Sequence, residues 1–273
     1  MNVSTSPCGI RAADSAVMEW EDMAVDPIAL VPPAGTGGDM LRLQDAPSGY
    51  TFCYGPPHAD PALWQCYLEG ALRVYGHYGA ESAVDYDRVI DGSSTALFAV
   101  AVDADGHAVA GVRAEGPFKH VDEAPSIVSW AGLPGEYAFR KMVADQIPEG
   151  VYECRTGWVV PKSPQHPMLA DWVARAIIHF IPLLGARYSV GAAAEHALPL
   201  YRRGGARTAW WIPASSYPDD RYRTVPLWWD LQSFRSLASP EQVRAIDAEW
   251  AALSAAGPIP PISWFPDQGQ AQA

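Results

Sequence analysis

Glu153 and Arg155 stand two residues apart in the run Val151-Tyr152-Glu153-Cys154-Arg155-Thr156-Gly157-Trp158-Val159-Val160. A carboxylate can take up a proton and a guanidinium can hold an anion, so their placement matters. The run is rich in β-branched and aromatic residues, which predicts a strand. Strand side chains repeat every second residue, so the two charges share a face. Cys154 then points to the opposite face and is expected to be a small core residue rather than a nucleophile.

The elements that must hold this pair follow at once. Met168, Leu169, Trp172, Val173, Ala176, Ile177, Phe180, Ile181 and Leu184 recur three and four apart, which predicts a helix. Arg187–Gly191 opens another strand, and Leu200-Tyr201-Arg202-Arg203-Gly204-Gly205 is a polar, arginine-bearing turn. A strand–helix–strand unit with a charged pair on its first strand reads as a site built on a scaffold.

Elsewhere the patterning is simpler. Residues 1–47 lack periodicity and include the turn-rich Val31–Gly38, which predicts a flexible arm. No Gly-Lys-Ser/Thr follows those glycines, so a phosphate loop is not expected. Order is expected from the strand Tyr50–Tyr54. A helix follows, capped by Asp60 with Pro61 at its first position and ended by Gly76 and Gly79. Thr95–Val102 and Ala108–Arg113 form a hairpin around Asp105-Gly106. Residues 134–147 predict a helix through Tyr137, Phe139, Met142 and Val143, and Ala209–Ile212 and Val225–Trp229 are candidate strands. Ser239 caps a last helix, with Pro240 first and Gln242 placed for a capping box. The expected layout is an arm (1–47), one α/β domain (48–235), and a C-terminal helix and tail (236–273).

Composition narrows the function classes. The chain has 273 residues, a net charge of −12 and 18% charged residues, which suits a globular protein and disfavours nucleic acid as a partner. No apolar run reaches membrane-span length, and Asp14, Glu21 and Asp22 break any secretory-signal pattern, so a cytoplasmic setting is expected. Cys8, Cys53, Cys66 and Cys154 have no CxxC spacing and the seven histidines no metal spacing. No metal is expected, and the histidines are taken as structural or surface groups. The eleven tryptophans are expected mainly in the core.

The element order resembles the GNAT acyltransferase fold, a mixed, twisted, centrally splayed sheet flanked by helices. Ala108–Arg113 is similar to that family's "G-x-x-V-G-x-x-R" strand, and Leu200–Ala206 to its "L-Y-x-x-x-G-F" turn. Within the superfamily the layout resembles acyl-homoserine-lactone synthases and N-acyl amino acid synthases. The matching stretches are Arg73-Val74-Tyr75, Asp85-Tyr86-Asp87, Gly111-Val112-Arg113 and Tyr152-Glu153-Cys154-Arg155. The acidic segment is Asp-x-Asp rather than the group's "D-x-x-D", and its "E-x-S-R" is compressed to Glu-Cys-Arg.

The resemblance implies transfer of an acyl group from a thioester to the amine of a small molecule such as an amino acid. It implies Glu153 as the base, directly or through water, and Tyr201 as the group that protonates the leaving thiolate. An ion pair of Glu153 with Arg113 or Arg155, and an ordinary buried tyrosine, are the competing roles. Arg73 is a candidate for the acceptor's carboxylate, or else a surface helix residue; Asp85 and Asp87 are candidates for its ammonium group, or else a solvated loop; Arg113 and Arg155 are further candidates for binding the substrate. The turn before the long helix, Pro161-Lys162-Ser163-Pro164-Gln165-His166-Pro167-Met168, has three prolines that donate no N–H, which disfavours a tight coenzyme A pyrophosphate site. An acyl carrier protein is therefore the expected donor. Lys162, Arg202, Arg203 and Arg207, with Arg221 and Arg223, are candidates for holding it; pairing with Asp219, Asp220 and Glu195 is the alternative. A coenzyme-A-dependent N-acetyltransferase and a non-catalytic GNAT-like binding domain are the other readings.

Overall fold

The structure, a computed structural model, describes residues 40–256. The Val31–Gly38 stretch, most of the expected arm and the tail beyond Ala256 lie outside the described residues. The elements run β1 (Leu41–Asp45), β2 (Tyr50–Gly55), α1 (Pro61–His77), α2 (Tyr86–Val89), β3 (Leu97–Val102), β4 (Ala108–Glu115), α3 (Glu136–Gln146), β5 (Val151–Val159), α4 (His166–Leu183), β6 (Tyr188–Ala194), α5 (Leu198–Arg203), β7 (Arg207–Thr208), β8 (Thr224–Asp230), α6 (Phe234–Leu237) and α7 (Pro240–Ala256). A 3₁₀ segment, Pro125–Trp130, precedes α3.

All eight strands form one sheet in the order β1-β2-β3-β4-β5-β6-β8-β7. Every pairing is antiparallel except that of β5 with β6. This parallel ladder is short: it ends at Glu153 opposite Val190. Beyond that point β6 continues against β8 as far as Ala194, while β5 continues against β4. The two central strands therefore part, and the sheet splays where Cys154–Val159 leave β6.

Apolar layers seal both faces. Leu63, Trp64, Tyr67 and Leu68 of α1 pack on Phe98, Val100 and Trp158. The long helix α4 buries Leu169, Trp172, Val173, Ala176, Ile177, Phe180 and Ile181 against Phe52, Ala99, Val112 and Tyr152. Phe139 and Val143 of α3 and Trp130 close the α1 side over Val151 and Val190. Asp60 caps α1 by accepting from the Leu63 N–H at 3.0 Å, as its position before Pro61 predicts.

Four local expectations are corrected. Order starts before Tyr50: β1 pairs along β2, and Arg42 on it reaches Asp60 at 2.8 Å, an anchor that a hydropathy pattern does not reveal. Ala209–Ile212 is not a strand; the Ile212 N–H turns back to the Ala209 carbonyl, and Trp210 and Trp211 are 59% and 61% exposed instead of core. Tyr137 projects from α3 at 80% exposure, so that helix buries a narrower face. The Ser239 hydroxyl accepts from the Gln242 N–H at 3.3 Å, but the Gln242 side chain accepts from Arg175 rather than completing a capping box.

Candidate active site

The splay opens a cleft of about 330 Å³ that passes through the sheet between β5 and β6. On the α1 side it is lined by Tyr75, Tyr78, Ser126, Ser129, Glu153, Arg155, Tyr217 and Tyr222. On the α4 side it is lined by Ala170, Val173, Ile177, Leu200, Tyr201, Leu227 and Trp229, with His166 and His196 also in the wall. The first half is polar and aromatic, the second mostly apolar.

A β-bulge aims the central residues. Gly111 opposes Trp158 while Arg113 opposes Arg155, so β5 carries one extra residue, and Thr156 takes φ 50°. The freed carbonyls find partners on α1: the Tyr67 hydroxyl donates to Thr156 O at 2.8 Å and the Tyr75 hydroxyl to Gly157 O at 3.2 Å. Gly157 leaves room for Tyr201, whose hydroxyl lies 3.4 Å from where a Cβ on Gly157 would stand.

The charges form a checkerboard across β4 and β5. Arg113 lies opposite Arg155, and Glu115 opposite Glu153. Like charges facing each other are unfavourable, and the diagonals and neighbours compensate. Glu115 bonds Arg113 and Arg88 and lies 3.8 Å from the Arg155 Nε, and Arg155 Nη1 lies 3.4 Å from Glu153 Oε1. Burial pushes the Glu115 carboxyl up, but the bond from Arg88 and the charges of Arg113 and Arg155 outweigh it and hold it low. Glu153 goes the other way. It is 1% exposed, and burial raises its carboxyl above the ordinary value despite Arg155 and Ser126. Three guanidinium groups, of Arg88, Arg113 and Arg155, meet the carboxylates of Glu115, Glu153 and, at the rim, Asp85, and the buried Arg113 Nη2 has no hydrogen-bond partner among the described residues.

The other cleft residues are placed as follows. Glu153 Oε2 accepts from the Ser126 N–H at 3.0 Å and Oε1 from the Ser126 hydroxyl at 2.5 Å. The Tyr201 ring stands edge-on to Trp229 at 5.8 Å, and none of the hydrogen bonds among the described residues uses its hydroxyl. Burial raises that hydroxyl well above its usual value, so it stays protonated where a thiol ionises. Cys154 also lines the cleft and packs toward Gly191, and burial first of all pushes its thiol up to about 12, so it remains a thiol. Strand alternation does not keep it out, because the cleft opens at the edge of β5 and both faces reach it.

Other sequence candidates fall outside the cleft. Arg73 is half-buried on α1, and Asp87 is exposed on α2. Asp85, at φ 57°, precedes α2 without a side-chain capping bond and faces Arg88 at 3.5 Å. Among these three none lines the cleft; Tyr75, Tyr78 and Ser126 stand there instead. Lys162, Arg202, Arg203 and Arg207 are exposed on the surface. Arg203 pairs with Asp171 at 2.7 Å, Arg223 with Glu195 at 2.6 Å and Arg221 with Asp219 at 2.8 Å. Arg207 lies over Trp228, and neither it nor Arg202 has a carboxylate within ion-pair reach among the described residues.

Sequence reasoning missed Arg88 and Glu115, although Arg113 and Glu115 carry the same two-residue spacing as Glu153 and Arg155. It also missed Ser126, Tyr217 and Tyr222, which arrive on loops. Among the described residues the one grouping able to share a metal ion is Asp103, Asp105 and His107. It is a hairpin turn whose Asp103 carboxylate already accepts the N–H groups of Asp105 at 3.0 Å and His107 at 2.8 Å.

The turn before α4 keeps few donors. The N–H groups of Gln165, His166 and Leu169 bond Ser163 Oγ, Ser163 O and Gln165 O, and Pro161, Pro164 and Pro167 have none. At most Lys162, Ser163 and Met168 remain for a pyrophosphate. Free coenzyme A is therefore expected to bind more weakly than about 100 µM by calorimetric titration, whereas low-micromolar affinity through residues 162–169 would contradict this.

No family model matches the sequence. The Mycobacterium tuberculosis protein Rv1356c, described as uncharacterized, is 43% identical over 187 residues, 68% of this chain and 71% of its own length. Mb1391c of Mycobacterium bovis, described likewise, matches with the same figures. Among solved structures, FeeM, an N-acyl amino acid synthase from uncultured soil microbes, superposes with a TM-score of 0.52 at 11% identity over 67% of this chain and 92% of that one. The fold is GNAT-like, as the sequence motifs imply. No helix among the described residues is long and apolar enough to cross a membrane.

Proposed function

The chain belongs to the family of the mycobacterial protein Rv1356c, and from that premise and the GNAT-like fold we propose that it is an N-acyltransferase. It moves an acyl group from a thioester to the amine of a small acceptor that bears a carboxylate, such as an amino acid. One observation carries this reading: a single cleft through the splayed sheet holds Glu153 and Arg155 on one side and the uncommitted Tyr201 hydroxyl on the other.

The roles follow from placement. The apolar α4 side takes the acyl thioester. Beyond Glu153 the edge of β5 that faces β6 has no strand to pair with, and the backbone N–H groups on that edge are donors for the oxyanion that develops on the thioester carbonyl. The Arg155 guanidinium, which lines the cleft, attracts the acceptor's carboxylate. Glu153 receives the amine proton, and burial, which raises its carboxyl above the ordinary value, makes it a stronger base than an exposed carboxylate. Tyr201 gives its proton to the thiolate. The prolines and occupied N–H groups before α4 favour a carrier-protein donor over free acyl-coenzyme A. Exposed Arg202 and Arg207 then offer positive charge to an acidic carrier surface.

Tyr201→Phe separates an enzyme from a binding domain. The variant is expected to lose about 10- to 100-fold in kcat for thioester turnover while donor affinity changes little. Thiol release measured beside donor binding reads both quantities. Unchanged kcat would remove Tyr201 from the chemistry.

A further inference from the structure

Glu153 is buried so completely that its own access to a substrate amine is the unsolved step. Oε2 is occupied by the Ser126 N–H, and Oε1 by the Ser126 hydroxyl and Arg155. The residue is 1% exposed and three donors already hold its carboxylate, so little of it meets the cleft directly. Ser126 lines the same cleft. Its oxygen is a donor to Glu153 at 2.5 Å and keeps lone pairs of its own. The serine is fixed in place: it sits in the 3₁₀ segment Pro125–Trp130, whose Ile127 and Trp130 are buried in the α3-side core.

We propose that Ser126 is the proton relay of this site, taking the amine proton from the acceptor and passing its own to Glu153. This rests on the acyltransferase reading. As the nitrogen lone pair forms the C–N bond, the N–H proton moves to Ser126 Oγ and the Ser126 hydroxyl proton moves to Glu153 Oε1. The C–S bond breaks with its electron pair going to sulfur, and the sulfur takes the Tyr201 hydroxyl proton. The Glu153 carboxyl then returns its proton through cleft solvent to the Tyr201 phenolate. One amine proton is lost and one thiol proton is gained, so the cycle closes with no other reactant. The cleft runs through the sheet, which places the two proton-handling groups on opposite sides of the reacting carbon.

The alternative for Ser126 is a clamp that only holds Glu153 still. The two roles differ in what a hydroxyl does beyond shape. Ser126→Ala keeps the backbone N–H bond to Glu153 and removes the relay oxygen. It is expected to lower kcat about 10²-fold with KM within about threefold. It is also expected to shift the Glu153 titration, followed by carboxyl ¹³C NMR, upward, because a donor to the ionised form is lost. Ser126→Thr restores a hydroxyl and is expected to recover activity to within about tenfold of wild type. Wild-type-like kcat in a folded Ser126→Ala protein overturns the relay while leaving the acyltransferase reading standing. So does a folded Ser126→Thr protein as slow as the alanine variant. A wild-type protein that transfers no acyl group overturns the reading and the relay together, and an unmoved Glu153 titration overturns the contact without reference to turnover.

Discussion

Glu153→Gln is expected to lower kcat by about 10²-fold or more while the protein stays folded. Glutamine keeps the shape and one acceptor oxygen, but it cannot receive the amine proton. Its amide nitrogen meets a donor, either Ser126 or Arg155, so a stability loss of about 1–3 kcal/mol is expected alongside. The pH profile of the wild type carries a second sign. Only the ionised carboxylate is a base, and burial raises the Glu153 value, so activity should fall on the acid side at a pH above the ordinary carboxylate value. The rival role, a purely structural ion pair with Arg155, gives the opposite pattern: a large fall in melting temperature and unchanged turnover per folded molecule.

The largest stability effect is expected far from the cleft. Glu249 on α7 accepts from Arg175 at 2.8 Å and lies 2.8 Å from His179 Nε2, both on α4. Around it Gln242 accepts from Arg175 at 3.1 Å, and Trp250 stacks on the His179 ring. Glu249→Ala leaves a buried guanidinium with one partner fewer and is expected to destabilise the fold by about 3–5 kcal/mol. Burial pushes the Glu249 carboxyl up, but the His179 bond and the charges of His179 and Arg175 outweigh it, so the folded value is depressed. A depressed carboxyl value contributes stability above the unfolded value of about 4.3, and that contribution is lost as pH falls through the folded value. Urea unfolding of both proteins at pH 7 and in acid measures this. The gap between them should narrow in acid, and a loss below about 1 kcal/mol at neutral pH would refute the network's role.

What the sequence reveals here depends on how local the determining contact is. The Glu153–Arg155 pair is legible because a two-residue spacing on a strand sets a shared face, and the structure brings the pair to 3.4 Å. The long helix α4 is legible from its three-four spacing, and the Asp60 and Ser239 caps from their side chains beside proline. The limit appears where a partner is distant. Ser126 meets Glu153 across 27 residues from a 3₁₀ segment with no periodicity to mark it. Tyr217 and Tyr222 reach the cleft from the loop after β7, and the bulge at Thr156 exists only against the register of β4. Asp85 and Asp87 look like an acidic binding segment in sequence. Yet the left-handed backbone at Asp85 makes the turn into α2, its carboxylate pairs with Arg88, and the segment stays out of the cleft. Trp210 and Trp211 look like core by type, but the turn at Ala209–Ile212 leaves both in solvent.

The most direct test of the account is amide formation itself. Purified protein is incubated with acyl thioesters carried on acyl carrier protein and on coenzyme A, together with a mixture of amino acids, and the products are weighed by mass spectrometry. The account expects an N-acyl amino acid from the carrier-protein thioester, little from the coenzyme A thioester, and almost none from either donor with the Glu153→Gln variant. Intact thioesters and no amide from either donor, with the protein folded, would contradict it and favour a GNAT-like domain that binds without catalysing.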